Sequence, residues 1–168
     1  MTLKILNHEI IGKIDKLDEK LEGKLPITRE ELLVLVNSWG REQDFKFIYD
    51  NQTINFISIK KSKPKECYDL SRLDTSKIKN MNCLFIYSNF NGDISNWNVS
   101  KVTDVSQMFY FARNFNQALN SWDVRNVTNM SWMFSGAFNF NQDINNWDVS
   151  NVTSMSRMFA YASNFNQD

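Results

Sequence analysis

The sequence predicts a repeat solenoid with a small α+β cap on its N-terminal side. Three observations carry that prediction. Trp97, Trp122 and Trp147 stand 25 residues apart. The string FNQALNSWDVRNVTNMSWMF, starting at Phe115, returns as FNQDINNWDVSNVTSMSRMF from Phe140. The first 66 residues differ in kind: they hold every glutamate of the chain, whereas the repeats use only aspartate. One such unit cannot bury its apolar side chains alone, but stacked units bury them against each other.

The spacing sets four units, at 70–93, 94–118, 119–143 and 144–168. The first is one residue short and carries Leu73 where the others carry Trp. Within a unit, Trp147 and Val149 flank Asp148 at strand spacing, so Trp and Val are expected inside and Asp outside. Val152, Met155, Met158 and Phe159 follow at the spacing of a short helical or 3-10 return, and Phe165 closes the coil. Each coil is therefore expected to hold one short strand, one return segment and two turns, with neighbouring strands about 4.8 Å apart. The expected core rows are Trp97, Trp122 and Trp147; Val99, Val124 and Val149; Phe109, Phe134 and Phe159. Thr103, Thr128 and Thr153 form a polar column, and Asn91, Asn116, Asn141 and Asn166 another. Their side chains can bond to the coil above and satisfy turn backbone groups. A glycan-contacting row is the functional alternative for the asparagines.

The N-terminal part reads differently. Ile10, Ile14, Leu17 and Leu21 mark an amphipathic leading helix over about 8–22, ended by Gly23, which gives a first segment 1–25. A cap and linker over 26–66 follow. Thr28 and Glu31 form a capping box that starts a second helix, with Gly40 as its stop. DFKFIYDNQTINFISI reads as two strands joined at 50–53. KKSKPKE is a basic linker, a solvated connection rather than a nucleic-acid patch, because no aromatic residues interleave with its lysines. A solenoid end exposes an apolar cross-section and unpaired edges, and 28–66 is placed to cover the first one. At the other side the last complete unit, within 67–168, is expected either to continue or to meet a partner or a second copy.

Composition narrows the function classes. The formal net charge is zero, so no strong field favours nucleic acid or an anionic membrane. Residues 1–66 carry +1 and 67–168 carry −1. No segment approaches the roughly 20 apolar residues of a membrane span, and the first residues have no signal-peptide pattern. Cys67 and Cys83 lie sixteen apart without a CxxC and are expected to be plain thiols; His8 is the one histidine, so no zinc set is present.

NWDVSNVTSMSRMF and FNQDINNWDVSNVT resemble the BspA-like leucine-rich-repeat surface proteins, and more narrowly the repeats first noted in mycoplasma lipoprotein-associated proteins. The resemblance covers about 69–168. DLSRLDTSKIKNMNCLF resembles the degenerate start of such arrays, and TREELLVLVNS their helical lead-in. The resemblance implies a leucine-rich-repeat-like solenoid of bacterial origin, displayed at the cell surface or secreted, engaged in adhesion, with no catalytic residue carried over. The missing signal keeps a cytoplasmic location open.

No GxGxxG, P-loop or HExxH motif occurs, so no enzyme activity and no cofactor are expected. The column Asp74, Asn98, Asp123 and Asp148 would place carboxylates at repelling distance. Turn hydrogen bonds relieve this, and Ca²⁺ or a recognition role are the alternatives. The exposed strand face is the default binding surface of a solenoid. Its residues are Asn96, Asn98, Ser121, Asp123, Arg125, Asn146 and Asp148, flanked by Ser100 and Ser150, with Arg125 the distinctive member. Trp132, Arg113 and Arg157 are expected to face outward. Trp132 is either a contact anchor or a partly buried neighbour of the next coil. The expected function is a non-enzymatic, adhesin-like protein-interaction module whose partner is a host or cell-surface protein. The alternative is an intracellular scaffold that assembles through the leading helix or self-associates through its last coil.

Overall fold

The computed structural model describes residues 25–37, 45–49, 52–56 and 70–167. The leading helix, the basic linker, Gly40 and Cys67 lie outside the described residues. The elements are β1 (Leu25–Pro26), α1 (Arg29–Asn37), β2 (Phe45–Tyr49), β3 (Gln52–Phe56), a 3-10 turn (Leu70–Arg72) and β4 (Leu73–Asp74). β2 and β3 pair antiparallel, with Tyr49 opposite Gln52, as a tight hairpin. α1 starts as its capping box dictates: the Glu31 amide donates to Thr28 Oγ1 at 3.2 Å, and the Thr28 amide donates to the Glu31 carboxylate at 3.0 Å. Leu32, Leu33 and Val36 recur on one face of α1 and are buried in the same core as the repeats.

The repeats lie on one another in parallel. Bridges join Asn80 to Asp104, Asp104 to Asn129, and Asn129 to Ser154. The pairing does not run through the Trp-Asp-Val segment, where a strand was expected. Burial still alternates there: Trp97 and Val99 are buried and Asn98 is exposed. Alternation reports which side chains face the core, not which amides pair. Only in the first unit is this position a strand, because β1 lies alongside and pairs with β4, Leu25 to Leu73.

The pairing segment is a ribbon of overlapping turns. The amides of Val105, Gln107, Phe109 and Phe111 donate to carbonyls of the next unit, at Asn129, Ser131, Met133 and Ser135, over 2.8–3.0 Å. The amides between them donate three residues back: Met108 to Val105, Tyr110 to Gln107, Ala112 to Phe109. Alternate amides thus tie neighbouring units and close their own turns, so each has an acceptor. Twice per unit the ribbon needs a left-handed residue: Gln107 and Phe111, Trp132 and Gly136, Arg157 and Tyr161. Each non-glycine residue there costs about 1 kcal/mol, which the two sets of hydrogen bonds offset. The expected return segment is therefore neither a strand nor a 3-10 helix, although it makes the three-residue bonds of the latter.

Two columns of rings form the core. Phe85, Phe109, Phe134 and Phe159 stack at 5.2, 5.4 and 5.5 Å, within 7° of parallel. Phe90, Phe115, Phe140 and Phe165 form the second column, at 6.1, 6.0 and 5.8 Å. Trp97, Trp122 and Trp147 are buried, and each indole N–H donates to a carbonyl of the preceding unit, at Leu70, Ile94 and Leu119. Of the expected core rows, the members in the last unit are the least covered. Val149 is 39% exposed and Met155 41%, whereas their equivalents Val124 and Met130 are buried. Phe159 packs against the core partly buried.

The polar columns hold the outside of the stack. Asn91 Oδ1 accepts the Asn116 amide, Asn116 Oδ1 that of Asn141, and Asn141 Oδ1 that of Asn166, at 2.9–3.0 Å. Gln117, Gln142 and Gln167 reach back to the same asparagines. Thr103, Thr128 and Thr153 donate their hydroxyls to the preceding unit. At the first unit, Arg29 at the start of α1 fills the place of a preceding amide row. Its Nε donates to the Asn80 carbonyl at 3.0 Å, and its Nη2 to the Asn82 carbonyl at 2.8 Å and to Asn82 Oδ1 at 2.7 Å.

Candidate functional site

The stack offers two lateral faces. The first is the polar row expected from the sequence. Asn96, Asn98, Ser121, Asn146 and Asp148 are exposed along it, with Asp123 half-buried and Arg125 exposed. The structure brings these residues onto successive units, but it also engages them. Asn98 Oδ1 accepts the Ser100 amide and hydroxyl, and Asp148 accepts the Ser150 amide. Asn96 Nδ2 donates to the Ser71 carbonyl and the Ser121 hydroxyl to the Ser95 carbonyl. Asn146 takes part through its backbone amide, which donates to Asn120 Oδ1.

Arg125 is closed on its own unit. Its Nε and Nη2 each lie 2.8 Å from a carboxylate oxygen of Asp123, a bidentate pair across a two-residue turn. The guanidinium holds the Asp123 carboxyl below the usual carboxylate range, and Asp123 in turn raises Arg125. Hydrogen bonds from Ser150 lower Asp148 in the same way. The aspartate column is thus a column of turn caps, in which Asp74 and Asn98 also accept the amide two residues on. Among the described residues, no three His, Cys, Asp or Glu side chains come together as a metal site.

The second face was only partly visible beforehand. Trp132, half-buried, stands with its ring under the Arg157 guanidinium, 4.7 Å from the centroid. The ring meets Tyr110 edge-on at 6.0 Å. Tyr110 meets Phe111 at 4.8 Å, and Phe111 meets Phe138 at 6.1 Å. Arg113 lies over Phe138 at 5.1 Å. Four rings form a chain across two units with a guanidinium at each end. Sequence reading singled out Trp132, Arg113 and Arg157 but missed Tyr110, Phe111 and Phe138. The available signal was aromatic side chains at the variable positions of the repeat, which the core does not require.

Comparison with known proteins bears on this stack directly. The family model described as "Mycoplasma protein of unknown function, DUF285" matches residues 54–168. The chain belongs to the DUF285 family. The match takes in all four units and reaches back to β3. No curated protein and no solved structure shows significant similarity to this DUF285 chain. The family carries no assigned function, so the chemistry of the repeats is read from the two faces. Among the described residues, no helix is long and apolar enough to cross a membrane.

Proposed function

We propose that the chain is a non-enzymatic protein-interaction module, a leucine-rich-repeat-like solenoid of the BspA-like, adhesin-like type. One observation carries this reading. Equivalent residues of successive units are bonded in register, so variable side chains fall into rows on the outside while the shared ones hold the stack. Such rows favour contact along a surface over enclosure of a small molecule. The polar row from Asn96 to Asp148 is the first surface to test, and a host or cell-surface protein is the expected partner class.

The test is binding of the labelled chain to intact cells and to immobilised cell-surface proteins. Saturable binding is expected, and the double variant Asp123→Lys with Asp148→Lys should abolish it while the fold persists. Retained affinity in that variant would remove the polar row from the contact. Absence of binding to any surface fraction would remove the adhesin-like reading. A second reading, self-association through the last unit, is motivated by its exposed Val149 and Met155. A concentration-independent monomer in light scattering would sink it.

A further inference from the structure

Two arginines on this stack are held in opposite ways. Arg125 is bound at both nitrogens by Asp123. Arg157 is exposed, its guanidinium carbon lies over the Trp132 ring at 4.7 Å from the centroid, and it has no ion pair among the described residues. Stacking on an indole fixes a guanidinium in orientation while leaving its N–H edge to solvent. Such an edge is already positioned for a carboxylate, which it can take in two parallel hydrogen bonds.

The surroundings of Arg157 agree with an acidic visitor. Residues 107–117, 132–142 and 157–167 bring the outward positions of three units to this side, and they contain no aspartate or glutamate. The acids of these units fall outside those segments, at Asp104, Asp123, Asp143, Asp148 and Asp168. Charge is therefore segregated around the stack although the whole chain is neutral. Next to Arg157 lies a run of half-buried rings, and Tyr161 is 73% exposed. Trp, Tyr and Arg together are the composition of interface anchors.

We propose that the ring chain Trp132–Tyr110–Phe111–Phe138, with Arg157 and Tyr161 at its exposed side, is a docking site for an acidic peptide segment of a partner protein. A carboxylate pairs with the Arg157 guanidinium, and an apolar or aromatic neighbour in the peptide covers the rings. Nucleic acid fits less well. These segments hold two arginines and no lysine, and a phosphate backbone is held by many cations. An anionic membrane surface likewise calls for a basic cluster that is missing from these segments. The proposal rests on the reading of the chain as a protein-interaction module and adds a second contact face to it.

The test is to pan a random peptide library against the immobilised full chain and to measure the enriched peptides by surface plasmon resonance. Oligo-dT and phosphatidylserine vesicles run alongside. Enriched peptides should carry Asp or Glu beside an aromatic or aliphatic residue. Arg157→Glu should weaken them about tenfold or more, Arg157→Lys less, and Asp123→Lys with Asp148→Lys hardly at all. Arg157 is exposed, so circular dichroism should show both Arg157 variants folded. Peptides that bind wild type and Arg157→Glu alike overturn the proposal. If those peptides are lost in the aspartate double variant, the interaction reading survives on the polar row. If no peptide binds at all, the proposal falls, and the interaction reading is decided by the binding of the chain to cell-surface proteins. Tighter binding of oligo-dT or vesicles through Arg157 also overturns the proposal, in favour of another class of anion.

Discussion

The Phe111 ring stands 2.8 Å from the point that a β-carbon on Gly136 would occupy. The two residues are equivalents in neighbouring units, 25 positions apart. Gly136 also sits in the left-handed region at φ 71°. In that column the other members are Tyr87, Phe111 and Tyr161, so glycine is not demanded by the turn itself. It is demanded by the ring from the unit before.

Gly136→Ala should therefore destabilise the chain by about 2–4 kcal/mol, from left-handed strain and from the displaced ring together. Urea denaturation measures it. Adding Phe111→Ala should recover part of the loss, because the two residues share one space. A neutral Gly136→Ala would mean that the ring moves aside at no cost.

The asparagine ladder makes a different prediction. Asn116 Oδ1 accepts both the Asn141 amide and Gln142 Nε2, each at 3.0 Å. Asn116→Ala removes both bonds and should cost about 1 kcal/mol, since water can reach the freed amide. Asn116→Asp keeps an oxygen acceptor at that place and should retain most of the stability at neutral pH. Equal losses in the two variants would show that the column is held by something other than its acceptor oxygens.

The cap can be tested at a single residue. Arg29 supplies to the first unit the donors that each later unit receives from the one before. Arg29→Met keeps the buried stem but leaves the carbonyls of Asn80 and Asn82 without those donors. A loss of about 2–4 kcal/mol is expected. Arg29→Lys should restore only a fraction, because one ammonium does not span two carbonyls as a planar fork does. Thermal unfolding of the two variants side by side decides it, and equal melting temperatures would remove the capping role.

These residues show what was legible in sequence and what was not. The 25-residue spacing points to the buried Trp97, Trp122, Phe109 and Phe134 and to Val99 and Val124, but not to the exposed Val149, because burial of large apolar groups dominates the pattern. The Asn and Thr columns were legible for a related reason: only a polar group that meets its own equivalent would be repeated so strictly. The Thr28–Glu31 cap was readable because its partners are three residues apart. The pairing ribbon was not readable. Its overlapping turns depend on left-handed residues such as Gln107, Trp132 and Arg157, and none of these side chains announces that conformation. Arg29 was missed because its partners at Asn80 and Asn82 are more than fifty residues away. The ring chain was missed for the same reason, since Trp132 meets Tyr110 only once the units are stacked.

The aspartate turns predict how the fold responds to acid. Asp123 is lowered by its bonds to Arg125, Asp148 by Ser150, and Asp93 by the Ser95 amide. In the unfolded chain these carboxyls return to about 3.9. A folded value below the unfolded one means stability that is complete above the unfolded value and is lost as pH falls through the folded value. Urea midpoints should therefore hold from neutral pH to about pH 5 and fall below about pH 4. Salt should weaken the Asp123–Arg125 contribution, because that pair is open to solvent. Arg125→Ser, which gives the unit the residue of its neighbours, should move the Asp123 titration upward in carboxyl-detected NMR. Asp123 should still remain below the unfolded value through a Ser-type turn like that of Asp148 and Ser150. An Asp123 titration unmoved by Arg125→Ser would show that the guanidinium does not hold the carboxylate in solution. The contrast with Arg157 would then no longer separate an engaged arginine from an available one.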